Sequence, residues 1–422
     1  MSNTTESTPP APLVTFGGFS VPAGCRRILI TAELEPSNEG SLIQPTGFPD
    51  LGPVVYPDPA GKQGLICLIE SEASMANRLE EVCFDIANKA EGKLRSELTN
   101  LPYIKLTKDG GSAGEFITSS TIDGHRFASE YIMGAHVAVG SEEHTAITEQ
   151  LAANLAANEA APPEQEQPSQ ATKKAPGKGA KKAAKKSSEP EFVAFVQHFM
   201  GMTGPDKCPA ANVPRVFKLA MKYDPLSLVH GFQISVKKKL TFVGLRSPRA
   251  LNASILGFGC ERVTVPGIKF DPIGTGDAGQ AIFQKPRITA KKIMARFSID
   301  VGLISSFGIT PDETKLIVKL CLCKVAWFLG AANSGIKLRT ECDLRLKSNS
   351  AKFHIDRSDS AESEFVFTAI GTAAVSELAI PVDTTHSPLI LKHVPKKKEE
   401  KDADDSASDN AAEAEGNETT DE

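Results

Sequence analysis

The 422-residue sequence contains no uninterrupted apolar run of the roughly 20 residues that a membrane-spanning helix needs. Its opening residues, MSNTTESTPPAP, are polar and proline-rich, without the basic and apolar regions of a secretion signal. A cytoplasmic location with no membrane partner is the expectation. There are eight cysteines but no CxxC pair, and Cys321 and Cys323, two apart, fall on different faces of a helix. That excludes the usual zinc ribbons and dithiol motifs and leaves buried reduced thiols. GxxxxGK[ST] and HExxH are both missing, so neither a nucleotide P-loop nor a zincin helix is expected. No metal and no cofactor is expected. A surplus of positive charge is missing too: the net charge is −5.

The charge is unevenly spread. Residues 399–422 hold eleven acids and one lysine, whereas residues 152–190 hold seven lysines and four acids. Without those two stretches the body is close to neutral, which permits a basic groove without demanding one. Both stretches lack the aromatic and β-branched apolar residues that build a core, so 159–190 reads as a disordered lysine-rich insertion and 396–422 as a disordered acidic tail. Residues 1–24 read as a polar lead-in. The folded part is then one domain in two pieces, 25–158 and 191–395.

Within it, RRILITA (26–32) and GLICLI (64–69) are rich in β-formers and read as strands, separated by a Gly- and Pro-rich loop over 36–63. Met75, Leu79, Val82, Cys83, Ile86 and Ala90 form an apolar stripe that predicts a helix over 74–90, with Ser71 or Ser74 as cap. Short strands and loops are expected over 102–136, and helices over 141–158, 191–200 and 211–223. The stretch 264–290 reads as a long exposed loop and 296–304 as a strand. Thr310-Pro311-Asp312-Glu313 is a capping box that starts a helix ending at Gly330. Residues 337–346 alternate as a strand. Strands and helices in this order indicate α+β rather than a regular βαβ repeat.

Catalytic constellations are scarce. GTGDAG (274–279) matches a dinucleotide-loop pattern by letters only, and GGSAG (110–114) places Ser112 in a turn with no helix after it. His230, among apolar residues, reads as a core histidine. His125 beside Arg126 could serve ribonuclease chemistry or hold a phosphate. Basic residues recur beside small or apolar ones: Arg246 and Arg249, Lys285 and Arg287, Lys291 and Lys292, and Asn77 with Arg78 on the polar face of the first helix. Such groups hold sugar–phosphate through charge-assisted hydrogen bonds.

Several blocks resemble one family. QPTGFPDLG (44–52), IESEASMANRLEEVCFD (69–85), HRFAS (125–129), LVHG (228–231), RSPRAL (246–251) and LRTECDL (338–344) are similar, in order, to the RAMP backbone subunit of type I-G (formerly I-U) CRISPR effector complexes. The resemblance implies a modified RNA-recognition-motif (ferredoxin-like) core with large insertions. It implies a non-enzymatic subunit whose copies stack along the guide RNA (crRNA), beside other Cascade subunits. A thumb flips out a base at intervals, and the remaining guide bases pair with target DNA. Cleavage of that DNA is left to a recruited helicase-nuclease.

On this basis the guide contacts are expected at Ser71, Ser74, Asn77, Arg78, Arg126, Arg246, Arg249, Lys285 and Arg287. The stretch 264–290 is the expected thumb, with Phe270, Ile273 or Phe283 as wedge. Two departures from the family pattern stand out. The insertion and tail match nothing in it, and Gln284-Lys285-Pro286-Arg287 stands where a Pro-Phe-His-Arg segment is expected. The competing expectation for the arginines is an internal ion pair with Glu80, Glu81 or Asp123. Competing functions are a metal-independent guide-processing endoribonuclease using His125, a scaffold without nucleic acid, and target-RNA cleavage by a loop acid such as Asp123 or Asp277.

Overall fold

The computed structural model describes residues 13–393 apart from 17–18, 49–51, 86–91, 99, 138–140, 142, 147, 150–190, 201–212, 235–244, 270–280, 331–335, 338–342, 348–350, 356–362 and 365–388. Its frame is built from β1 (Arg27–Pro36), β2 (Leu65–Glu70), α1 (Glu72–Glu81), α2 (Pro225–His230), β3 (Leu251–Phe258), β4 (Glu261–Lys269), β5 (Ala281–Thr289), β6 (Lys292–Asp300), α3 (Pro311–Gly330) and β7 (Asp343–Leu346).

The large sheet places these strands in the order β7–β1–β6–β3–β2, every neighbouring pair antiparallel. Taken in chain order, β1, β3, β6 and β7 are the first, second, third and fourth strands of the core. Their spatial order is therefore fourth–first–third–second, the ferredoxin-like arrangement of an RNA-recognition motif. β2 extends the second-strand edge, and Val55–Pro57 continues beyond it. Both pieces of the chain supply strands to this sheet: β1 and β2 come from the first, and β3, β6 and β7 from the second.

Alternation decides which face is covered. Ile28, Ile30, Ala32 and Leu34 of β1, and Ile293, Ala295, Phe297 and Ile299 of β6, are buried in the main core. α1, α2 and α3 pack over that face. α3 is apolar almost all round because it lies in the middle of this layer. Its capping box forms as expected. Thr310 N–H donates to Glu313 Oε2 at 2.6 Å, and Glu313 N–H to Thr310 Oγ1 at 3.2 Å. Among the described residues, the opposite face carries a small cluster of Ile66, Leu256 and Phe258 with Leu68 and Met294 against it. A second, four-stranded sheet joins His136–Val137, Leu389–Lys392, Ile104–Thr107 and Phe116–Ser119.

Four expectations need correction. α1 ends at Glu81 rather than near residue 90, because the chain tightens (Cys83 N–H to Glu80 O, 3.0 Å) and turns to bridge Phe84 with Leu94. Ile86 and Ala90 of the expected stripe lie outside the described residues. β6 stops at Asp300, whose carboxylate accepts from Leu303 N–H at 2.9 Å and starts a short helix, Val301–Ser306. The expected loop 264–290 is instead largely the paired hairpin β4–β5. Its Pro266 and Pro286 disguised the alternation, yet a two-stranded ribbon tolerates proline where no N–H is needed. Over 337–346, Ile336–Lys337 pairs back on β7, so two strands replace one.

The six described cysteines are all free and buried. Ser112 sits in the turn between Ile104–Thr107 and Phe116–Ser119, not at a strand-to-helix elbow. GTGDAG, Phe270, Ile273 and the insertion and tail, 159–190 and 396–422, lie outside the described residues. Among those residues, no helix is long and apolar enough to cross a membrane, and no three His, Cys, Asp or Glu side chains are grouped to hold a metal ion.

Candidate nucleic-acid interface

The sequence blocks converge at the end of the sheet where β2 runs into α1. Ser71 caps α1, accepting from Ser74 N–H at 3.3 Å. Met75, Ala76 and Leu79 face the core, which turns Asn77 outward and leaves Ser74 and Arg78 partly exposed. The Arg78 guanidinium, however, folds back onto Glu70, with Nη2 and Nε at 2.9 and 3.2 Å from Oε1. Glu70 is only 3% exposed, so this pair holds a buried carboxylate in place.

Arg126 has a left-handed backbone, φ 54°. Its Nε donates to Glu80 of α1 and its Nη1 to the Gly231 carbonyl at 3.1 Å. Glu80, one of the three proposed internal partners, is thus used by Arg126, and Arg78 pairs with Glu70, which was not among them. Gly231 in turn adopts φ +74°, and a Cβ there would lie 2.5 Å from the Ser247 carbonyl oxygen. Only glycine fits, and LVHG therefore lies directly against RSPRAL. Ala250 N–H donates to Val229 O at 3.0 Å and completes the contact.

Beneath this junction lies a polar network that the sequence did not reveal. Lys324 of α3 is fully buried, and its Nζ donates to Leu79 O at 3.1 Å and to His230 Nε2 at 2.9 Å. Burial, then the Lys324 charge, push the His230 imidazole well below its ordinary value, so it is neutral and Nε2 accepts. Burial also pushes the Asp224 carboxyl up to about 6, offset in part by the Ser227 hydroxyl, which donates to it. Ser227 Oγ accepts from Phe127 N–H at 3.1 Å and so ties HRFAS to α2.

The remaining candidates divide by exposure. Arg246, on the strand Leu245–Ser247, is exposed; Arg249 is half-buried. Arg287 is 3% exposed and donates to Gln44, which joins the QPTGFPDLG segment to β5. Its burial places it in the framework rather than on an exposed surface. Lys285 lies on β5 opposite Val265; its side chain and that of Phe283 lie outside the described ones. His125, by contrast, is 81% exposed. Asp123 Oδ1 accepts from His125 N–H at 2.8 Å, and Oδ2 from the Ser129 hydroxyl at 2.8 Å, so this carboxylate shapes the turn.

Residues 28–262 match the model of a family described as CRISPR-associated protein GSU0053. The chain belongs to this CRISPR-associated family. It is the type I backbone-subunit family that the sequence blocks resemble, and the matched span runs from β1 into β4, across five of those six blocks. No curated protein matches the sequence. A chain of a solved structure titled "CRISPR RNA-guided surveillance complex, pre-nicking" is similar at 13% identity, over 79% of this chain and 80% of that one, with a TM-score of 0.28.

Proposed function

We propose that this protein is a guide-RNA-binding backbone subunit of a type I CRISPR effector complex. It makes and breaks no covalent bonds. Successive copies coat the guide, hold its sugar–phosphate chain and leave bases free to pair with target DNA. The observation that carries this is the convergence of IESEASMANR, HRFAS, LVHG and RSPRAL around α1, in a ferredoxin-like core that belongs to a CRISPR-associated family. Ser74, Asn77, Arg246, Arg249 and Lys285 are the contacts we assign to the guide. Arg78, Arg126 and Arg287 shape the surface from within. The β4–β5 hairpin is the thumb. Other effector subunits and a separate helicase-nuclease complete the assembly.

The test is expression of the full chain with a guide array and its partner subunits, followed by sizing and extraction of bound RNA. Several copies per complex with a guide of uniform length are expected. A monomer free of RNA overturns the proposal. Specific cutting of repeat RNA that disappears in His125→Ala establishes the endoribonuclease instead.

A further inference from the structure

The arginines nearest α1 are committed to internal partners, whereas unpaired positive charge collects elsewhere. At the far end of β2, three tight turns meet: the one before β2, the one between β3 and β4, and the one between β5 and β6. They enclose an open cleft of about 530 Å³ that contains Lys62, Lys291 and Lys292, with Glu261 as its one acid. All three lysines are exposed. Among the described residues, Lys62 and Lys291 form no ion pair, and Lys292 only approaches Glu33, at 3.9 Å.

The lysines stand on fixed backbone. Asp58 accepts from the N–H groups of Ala60, Lys62 and Gln63 at 3.0, 3.2 and 2.9 Å, so its carboxylate builds the turn that carries Lys62 while its charge also acts on that lysine. Gly259 has φ +62°, and a Cβ there would meet the Lys291 stem at 2.9 Å, so the glycine lets that side chain lie close. The floor is Phe258, with the Arg296 guanidinium 5.3 Å from its ring centroid. A cleft with net positive lining, rigid turns and an apolar floor suits a phosphodiester chain.

We propose that this cleft is a second phosphate-binding site, at the root of the β4–β5 hairpin, and that it takes the sugar–phosphate backbone of single-stranded RNA. The proposal rests on the guide-RNA assignment above. β2, with six residues at about 3.3 Å each, sets the cleft roughly 20 Å from the α1 cap. A strand held at both ends runs parallel to β2.

The test is binding of a labelled oligouridine to the full chain as a function of salt, for the wild type and for Lys62→Gln/Lys291→Gln/Lys292→Gln. Each phosphate contact contributes about 0.7 to the slope of log K against log salt for single strands. Loss of three contacts lowers the slope by about 2, which corresponds to an affinity loss on the order of 100-fold at 0.1 M salt. All three side chains are exposed, so the thermal midpoint stays unchanged and controls for folding. Wild-type binding with an unchanged slope in the triple variant overturns this site and leaves the guide-RNA assignment standing. Wild type that fails to bind oligouridine overturns both. An unchanged slope, together with a synthetic peptide of residues 399–422 that binds wild type but not the triple variant, assigns the cleft to an acidic protein segment and overturns the RNA occupant.

Discussion

Arg126 donates to Glu80, a partner 46 positions earlier in the sequence, and the two side chains are only 12% and 19% exposed. The same guanidinium reaches the Gly231 carbonyl. One side chain therefore fastens α1 to the turn after α2. Removing it strands a mostly buried carboxylate and leaves a carbonyl without its donor. Arg126→Ala is expected to cost about 2–4 kcal/mol in urea unfolding at unchanged m-value. Arg126→Lys recovers little of this, because an ammonium cannot reproduce the two-direction fork.

Gly231 allows two further blocks to touch. A methyl group there meets the Ser247 carbonyl at 2.5 Å and also imposes strain at φ +74°. Gly231→Ala is expected to cost about 2–4 kcal/mol. It also lowers guide retention, since the strand carrying Arg246 must move away. Retention equal to wild type in a folded Gly231→Ala protein would show that this junction does not shape the RNA surface.

Asp224 gives a pH signature. Its carboxyl rises from 3.8 to about 6 in the fold, so between those values the native state binds more protons than the unfolded chain. The raised value contributes stability that is fully present below about 3.8 and is lost as pH rises through about 6. His230 acts in the opposite sense. Its depressed value contributes stability above the ordinary imidazole range that is lost on acidification. The wild-type profile therefore mixes two slopes. The difference between wild type and Asp224→Asn isolates the acid: the variant gains relative stability as pH rises from 4 to 7, by up to ~3 kcal/mol. A difference that is flat over this interval would rule out an ionisable Asp224 in the core.

What was legible beforehand follows physical lines. Local signals were readable: the Thr310–Glu313 capping box, the β-former run of β1, the Met75–Leu79 part of the helical stripe and the core position of His230 all formed as read. The ferredoxin-like order came from resemblance, because pairing between β1 and β6 joins residues more than 250 apart and leaves no local trace. Arg78 and Arg126 read as surface cations because Glu70 and Gly231 become their partners only after folding. Lys324 was missed altogether. A lysine in an apolar helix ordinarily extends to solvent, and its acceptors, Leu79 O and His230 Nε2, come from two other helices. Of the cleft lysines only the Lys291–Lys292 pair was singled out, and Lys62 was not, since three separate turns bring them together.

The exposed and buried cations can be told apart by two measurements on the same variants. Arg246 projects from a strand edge into solvent, so Arg246→Ala should change stability by no more than about 0.5 kcal/mol. If it grips a guide phosphate, the salt slope falls by about 0.7 and retention drops at moderate salt. Arg78→Ala should behave in the reverse order. It uncovers Glu70, which is 3% exposed, and costs about 3 kcal/mol before any RNA is added. Its RNA defect should then be restored by Glu70→Gln in the same chain, because the neutral amide no longer needs a guanidinium beside it. Arg246→Ala has no such suppressor if its partner is on the RNA. If Glu70→Gln fails to restore retention while it restores stability, Arg78 itself touches the guide, and the division between framework and contact arginines must be redrawn at that residue.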